Sequence, residues 1–349
     1  MKRFAVPLVF AFLCLACSRT PRPRVEFALG TLCGVTLFER GSGAESDAVF
    51  ARLREIQDLM AFTPASAGTG DREPTELDLV NRNAGIGPVE VGGELLDVLE
   101  KALRYAELSG GAFDPTIGPL VTLWGIGNKN PRVPAAEEIQ RALALVDWRD
   151  LVIDRAAGTV LLRRRGQSLD LGAIAKGYAA DQAAAALRRG QRAIIDLGGN
   201  ILVLGKGPER GNWRIGVQDP LEERGNYLGV IRVQDKSVVT SGVYERYFEE
   251  GGQRYHHILS TDNGYPVQNG LLSVTIVADR SIDADALSTA CFALGPERGL
   301  ALVESLPDTE AVFVSQDRTV TLSSGAAGLF TLNGGNYRLI PTSSTSNTR

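Results

Sequence analysis

Near residue 190 the apolar residues of this 349-residue chain change their period. Before that point they recur three and four apart. A helix is predicted from about Ala44, where Ser42 and Glu45 have the spacing of a capping box and Val49, Phe50, Leu53, Ile56 and Met60 share one face. A second is predicted over 93–109 with Leu95, Leu99, Ala102 and Ala106 turned inward, a third after Pro134, and a fourth over about 174–188. Beyond the change, short apolar runs at 193–197, 201–204, 213–217, 228–233, 255–259 and 271–277 alternate with Gly, Asn and Asp turns, the pattern of strands. One late helix, over about 283–294, interrupts them, and an early strand is expected at 31–38. Helices first and strands later, without regular βαβ alternation, predict an α+β fold rather than a doubly wound sheet.

A formal charge of −4, with acidic and basic residues mixed along the chain, leaves no broad cationic surface, so nucleic acid is not an expected partner. A small anionic ligand would need a local positive site. Residues 1–17 read as a targeting segment: Lys2 and Arg3, an apolar stretch over 4–15, then Ala16 ahead of Cys17. That stretch is shorter than the ~20 residues a membrane span needs. A cysteine after a small residue in this place resembles a bacterial lipobox, with Cys17 as the acylated first residue of the mature protein. Cys14 stands where that pattern usually has Leu, and an ordinary cleaved signal peptide is the alternative. Both readings take the chain out of the cytoplasm, and the first holds it on the periplasmic side of the cell membrane by a lipid anchor. Residues 18–24, with Pro21 and Pro23, read as an extended basic tether, 25–340 as the folded catalytic domain, and the Ser/Thr-rich 341–349 as a disordered tail. Cys33, in a strand-like run, and Cys291, in a helix-like one, are expected as buried thiols rather than a disulfide.

Several familiar sites are missing from the sequence: a GxxxxGK[ST] loop, an HExxH helix, a GxSxG elbow and the dinucleotide glycine spacing. With only His256 and His257, a multi-histidine metal cluster is impossible, so a metal would rest mainly on oxygen ligands, which favours Mg²⁺ or Ca²⁺. The segment Asp-Leu-Gly-Ala-Ile-Ala-Lys-Gly-Tyr at 170–178 puts glycines and Lys176 where a turn enters a helix, and the amides of such a helix start favour anions. Taken alone it reads first as a plain helix start with a surface lysine. In Asp-Ala-Asp-Ala-Leu-Ser-Thr at 283–289, Asp285 and Thr289 are four apart and can converge on one ion, which suits Mg²⁺ shared with phosphate oxygens and waters. The plain alternative makes Asp283 or Asp285 an N-cap and Thr289 a packed helix residue. Of the neighbours His256 and His257, only one can point into a given cleft if they lie in a strand.

Together, and in this order, these pieces resemble the ApbE family of FAD:protein FMN transferases. The pattern reads as Leu-Gly-Thr at 29–31, Gly-Ala-Phe-Asp-Pro-Thr at 111–116, the 170–178 segment, Asp-Leu-Gly-Gly-Asn at 196–200, Thr-Ser-Gly at 240–242, His257 and Ile258 with Gly264 and Pro266, and Asp-Ala-Leu-Ser-Thr at 285–289. The resemblance implies an ApbE-like, T-fold-like α+β architecture with a largely antiparallel sheet around a flavin cleft. It implies that Leu29, Ala112, Phe113, Asp114, Asp170, Lys176, His257 and Ile258 line that cleft for FAD as substrate. It further implies Mg²⁺ on the Ala173 carbonyl and the Asp285 and Thr289 side chains; Asp285 and His257 are the catalytic candidates, and His257 is assigned as the base because an unshifted histidine pKa lies near neutrality. FMN would pass through its phosphate to a Thr or Ser of exported flavin-acceptor subunits of membrane electron-transfer complexes, releasing AMP. Alternatives are an Mg²⁺-dependent FAD pyrophosphatase and a non-catalytic FAD-binding lipoprotein. The chain departs from the family pattern at Ser260, Thr261 and Asn263, and in the Gly/Ser/Thr-rich loop after Met60.

Overall fold

A computed structural model describes residues 21–38, 43–61, 73–128 and 130–340. The leader with Cys14 and Cys17, the first part of the tether, Ser42 of the expected capping box, the loop over 62–72 and the 341–349 tail lie outside the described residues.

Among these residues the helices are α1 (Gly43–Met60), α2 (Glu76–Arg82), α3 (Gly93–Leu108), α4 (Gly118–Trp124), α5 (Ala136–Leu143), α6 (Ala175–Ala185), α7 (Ser281–Leu294) and α8 (Pro296–Glu304). The strands are β1 (Arg24–Ala28), β2 (Thr31–Leu37), β3 (Val89–Glu90), β4 (Leu151–Asp154), β5 (Thr159–Leu162), β6 (Ala193–Leu197), β7 (Asn200–Leu204), β8 (Trp213–Gln218), β9 (Tyr227–Val233), β10 (Ser237–Gly242), β11 (Tyr247–Glu250), β12 (Gln253–His256), β13 (Leu271–Ala278), β14 (Glu310–Ser315), β15 (Thr319–Leu322), β16 (Phe330–Leu332) and β17 (Arg338–Ile340). Arg24, the last residue of the expected tether, already pairs with Val35.

A nine-stranded sheet in the order β1-β2-β6-β7-β10-β13-β14-β15-β17 is the frame. Its pairings are antiparallel except β15 with β17. Alternation along each strand sends side chains to two different cores. Ala193, Ile195 and Leu197 of β6, Leu202 of β7 and Val274 and Ile276 of β13 join the faces of α1, α3, α6 and α7 in the larger core. Val203, Val238, Val277, Val312 and Val314 point the other way, onto the small sheet β16-β9-β8. The result is three layers: helices, large sheet, small sheet. All eight residues of β13 are buried, as a strand covered on both faces requires. The antiparallel frame and segregated helices are the predicted α+β arrangement.

The amphipathic helices form as their periodicity predicts: Val49, Phe50, Leu53, Ile56 and Met60 are buried on α1, and Leu95, Leu99, Ala102 and Ala106 on α3. Cys33 and Cys291 are free, buried thiols. The strand expected over 255–259 stops at His256 instead, because β12 runs out of its partner β11 there. The backbone then crosses to Val267, whose amide donates to the Ile258 carbonyl at 3.0 Å.

Candidate functional site

The two segments with a possible phosphate or metal role meet. α6 and α7 pack so closely that a Cβ on Gly177 would lie 2.7 Å from both the Asp285 Cβ and the Ile282 Cα, and would strike the Ser281 carbonyl. Only glycine permits this approach. Across it, the Gly177 amide donates to Asp285 Oδ2 at 2.8 Å and Lys176 Nζ stands 3.3 Å from Asp285 Oδ1. Asp285 is 3% exposed, and each of its carboxyl oxygens has one of these two partners.

Asp285 is therefore not an N-cap. Nor is Asp283, which accepts from the Tyr105 hydroxyl at 2.8 Å and pairs with Lys101 at 2.8 Å. The start of α7 is capped from α6, where Asp181 accepts the Ser281 and Ile282 amides at 2.8 and 3.3 Å. One turn beyond Asp285, Thr289 Oγ1 lies 3.2 Å from Ser241 Oγ of β10, which also meets Ser288 Oγ at 2.8 Å. Ser241 belongs to the 240–242 motif. Its place beside Thr289 is a pairing between distant segments that no local spacing announces.

A second wall carries Ala112, Phe113, Asp114 and Asp170. Asp114 Oδ1 accepts the Thr116 amide and hydroxyl, both at 2.7 Å, and Oδ2 accepts the Trp148 amide at 2.9 Å. These bonds brace the turn, while burial pushes the Asp114 carboxyl up to about 6. The Asp170 amide donates to the Pro115 carbonyl at 2.9 Å, which joins this turn to the 170–178 segment. Asp170 accepts the Gly172 amide at 2.8 Å, and its carboxyl is raised by desolvation, partly offset by that bond and by Arg246. Ala173 follows in the same turn, partly buried against the larger core. Asn81 holds the segment from behind by bonds to the Leu169 carbonyl and amide at 3.1 and 2.7 Å. Phe113 and Ile258 are buried in the larger core, so a ligand would meet their backbone rather than their side chains.

The third wall is the β1–β2 turn and the His257 strand end. Leu29 has φ +52°, a strained left-handed conformation for a branched residue, and its amide donates to Gln57 Oε1 at 2.8 Å. Arg246 reaches the Gly30 carbonyl at 3.5 Å. The Arg246 carbonyl in turn accepts the His257 amide at 3.1 Å and lies 3.2 Å from His257 Nδ1. A carbonyl only accepts, so Nδ1 carries the proton and Nε2 keeps its lone pair. Burial, then Arg246, pulls the His257 pKa down to about 3, with Lys176 adding a smaller push. His256 faces the other way: it is buried, edge-on to Phe292, with Nε2 2.9 Å from the Val267 carbonyl. Of the two histidines, His257 is the one joined to Arg246 at this wall.

The walls are tied together. Thr261 Oγ1 donates to the Gly111 carbonyl at 2.8 Å, linking the third wall to the second at one of the positions where the chain departs from its family pattern. Gly264, at φ +79°, closes the same turn, and its carbonyl accepts the Trp124 indole at 2.8 Å. Arg246 and Glu245 were not singled out by sequence reasoning. Their segment has no spacing signature, and the place of Arg246 follows from its contacts with Gly30 and His257.

Among the described residues no three His, Cys, Asp or Glu side chains cluster as a metal cage. The donors present at α7 are one carboxylate and hydroxyls, all hard oxygens, beside the partly exposed Lys176. This set fits Mg²⁺ that shares a phosphate, and does not fit zinc.

The model of the ApbE family matches residues 29–313. The chain belongs to the ApbE family. It is 40% identical over 317 residues to the FAD:protein FMN transferase of Treponema pallidum, covering 86% of each chain. To the FAD:protein FMN transferase of Klebsiella pneumoniae it is 37% identical, covering 84% of this chain and 89% of that one. Among solved structures, the ApbE protein of Thermotoga maritima superposes with a TM-score of 0.80 at 31% identity, over 88% of this chain and 99% of that one. The flavin transferase ApbE of Vibrio cholerae gives 0.76 at 27%, over 88% and 98%. These ApbE relatives share the layered α+β frame that carries the three walls.

Proposed function

We propose that this protein is an Mg²⁺-dependent FAD:protein FMN transferase, which joins FMN through a phosphoester to a Thr or Ser hydroxyl and releases AMP. The observation that carries the reading is the buried Asp285 carboxylate, met by Lys176 and the Gly177 amide one helical turn from Thr289. The names of the relatives support flavin transfer. In this reading FAD lies along the second and third walls, against Leu29, Ala112, Phe113, Asp114, Asp170 and Ile258, with its diphosphate toward Lys176.

Asp285, Thr289 and the Ala173 carbonyl would hold Mg²⁺, whose contribution is to offset charge on the diphosphate oxygens. Lys176 adds a full positive charge from the start of α6, where backbone amides also point outward. His257 Nε2 takes the proton of the acceptor hydroxyl while the hydroxyl oxygen bonds to the FMN phosphorus. The phosphorus–oxygen bond to AMP breaks, and AMP leaves with the electron pair. His257 is neutral across the neutral pH range with Nδ1 on the Arg246 carbonyl and the Nε2 lone pair free, while the depression of its pKa to about 3 lowers its affinity for that proton.

The leader ending at Cys17 supports the further proposal that the enzyme is exported and lipid-anchored on the extracytoplasmic face, where its acceptors are exported domains of membrane electron-transfer complexes. The test is product chromatography with FAD, Mg²⁺ and an acceptor bearing a Ser/Thr-Gly-Ala-Thr-like segment. AMP and an FMN-mass adduct are expected. AMP with free FMN and no adduct means a pyrophosphatase, and FAD that stays intact means a binding protein.

A further inference from the structure

The β1–β2 hairpin is apolar on both faces. Ala28, Cys33 and Val35 are buried in the larger core. Val25 and Phe27 point the other way, and the antiparallel register sets Gly34 opposite Val25 and Leu32 opposite Phe27, so Val25, Phe27 and Leu32 share the outer face. They are exposed by 52%, 73% and 64%. Pro23 extends the patch over Gly34, its Cβ 4.0 Å from the point a Gly34 Cβ would take. The same register runs on from Gly34 to Asp196 of β6, and from Ile194 of β6 to Val203 of β7, which packs against the small sheet. The hairpin therefore lies on the face that the third layer covers elsewhere, and that layer ends before reaching it. Edge strands are usually blunted by charge or covered, and clustered exposed apolar side chains mark an interaction surface.

Chain length indicates what covers this patch. β1 opens at Arg24, seven residues after Cys17. Seven residues reach at most about 25 Å, so a hairpin tied to a lipid at Cys17 cannot move farther than that from the bilayer surface. The tether between them carries Arg19 and Arg22. Arg22 is exposed, whereas Arg24 is taken up by Glu26 and Asp47. Apolar side chains bordered by arginines suit the boundary between headgroups and acyl chains in a bilayer that contains anionic lipid.

We propose that the face formed by Val25, Phe27 and Leu32 seats on the bilayer surface beside the lipid anchor and fixes which way the anchored body faces. The inference rests on the lipid-anchor reading. Leu29 and Gly30 of the third wall form the turn between Phe27 and Leu32, so the seat holds that wall of the cleft near the membrane. For the test, mature protein from the membrane fraction is reconstituted without FAD into vesicles of phosphatidylethanolamine and phosphatidylglycerol, with and without brominated acyl chains. Phe27→Trp and Leu32→Trp report on the patch, and Leu339→Trp reports on an exposed position of the far edge strand β17. A wild-type Tm in each variant shows an intact fold. Brominated lipid should remove roughly half of the emission that Phe27→Trp and Leu32→Trp add to the wild-type background, since the seat buries them about 5–10 Å into the headgroup–acyl boundary. Leu339→Trp should lose none. Patch emission quenched no more than that of Leu339→Trp overturns the seat. If that emission is also shielded from aqueous acrylamide, a second copy or an acceptor chain covers the patch instead. Flotation separates the two readings: protein that floats with the vesicles while its patch stays unquenched overturns the seat alone, and protein that does not float overturns the anchor with it.

Discussion

The proposed chemistry gathers on the Asp285 side chain, and its removal has a specific signature. Asp285→Ala leaves Lys176 and the Gly177 amide without their shared acceptor and takes away the carboxylate proposed for Mg²⁺. Turnover should fall by roughly a hundredfold or more, because a Lewis-acid contact is worth several kcal/mol in the transition state. FAD binding, followed by flavin fluorescence, should partly survive. Unchanged turnover would remove Asp285 from the site. His257 makes a prediction about pH. With its pKa pulled down to about 3, the ring is already neutral where most enzymes work, and it gains a proton only in strong acid. A pH profile of kcat/KM should therefore show no acidic limb from this group near its ordinary value of 6.5. His257→Ala should lower kcat by roughly 10²–10⁴-fold. A limb at the ordinary histidine value would show that the free enzyme keeps His257 in a wetter setting. The same depression has a stability consequence: the unfolded chain takes up this proton and the folded one does not, so stability falls as pH drops from 6.5 toward about 3.

Among the elements, the α6–α7 contact is the joint on which the site depends. Gly177→Ala puts a methyl into the Ser281 carbonyl and the flank of Asp285, so α7 must shift or the protein must lose stability. Overpacking of this kind costs about 1–3 kcal/mol, seen as a Tm lowered by several degrees, and Mg²⁺-dependent turnover should suffer more than stability does. A variant with wild-type Tm and turnover would mean that the helices have more room than the geometry gives them. How far such joints can be read from sequence differs by element. α1 and α3 were legible because each buries one face and leaves the other wet, which writes a period into the chain. α4, α8 and the hairpin β4–β5 were not foreseen: they are short, and their burial comes from neighbours distant in sequence. The 285–289 motif located Asp285 and Thr289, but that Asp285 would meet Gly177 and not cap α7 depends on Asp181, a residue about a hundred positions earlier that performs the capping. Arg246 was missed, and Ser241, though inside the 240–242 motif, was given no role, because each acts through contacts with segments distant in sequence.

For the whole molecule, the three layers keep both domain thiols out of reach. Cys33 and Cys291 are fully buried in the larger core, and desolvation pushes them up to about 11 and about 12. Neither should react with a maleimide until denaturant opens the fold, and labelling of the native Cys17→Ser protein at either position would contradict the packing. The same substitution bears on the membrane proposal: it should move the protein from the membrane fraction to the soluble one, and continued membrane retention would count against lipidation. Sheet order adds a geometric consequence. β1 and β17, the first and last strands of the described chain, are the two opposite edges of the nine-stranded sheet. Eight inter-strand steps of about 4.8 Å separate them by about 38 Å along the sheet. A fluorescent reporter fused after residue 340 would therefore leave from the far rim, at a distance suited to energy-transfer measurements against a second label on β1.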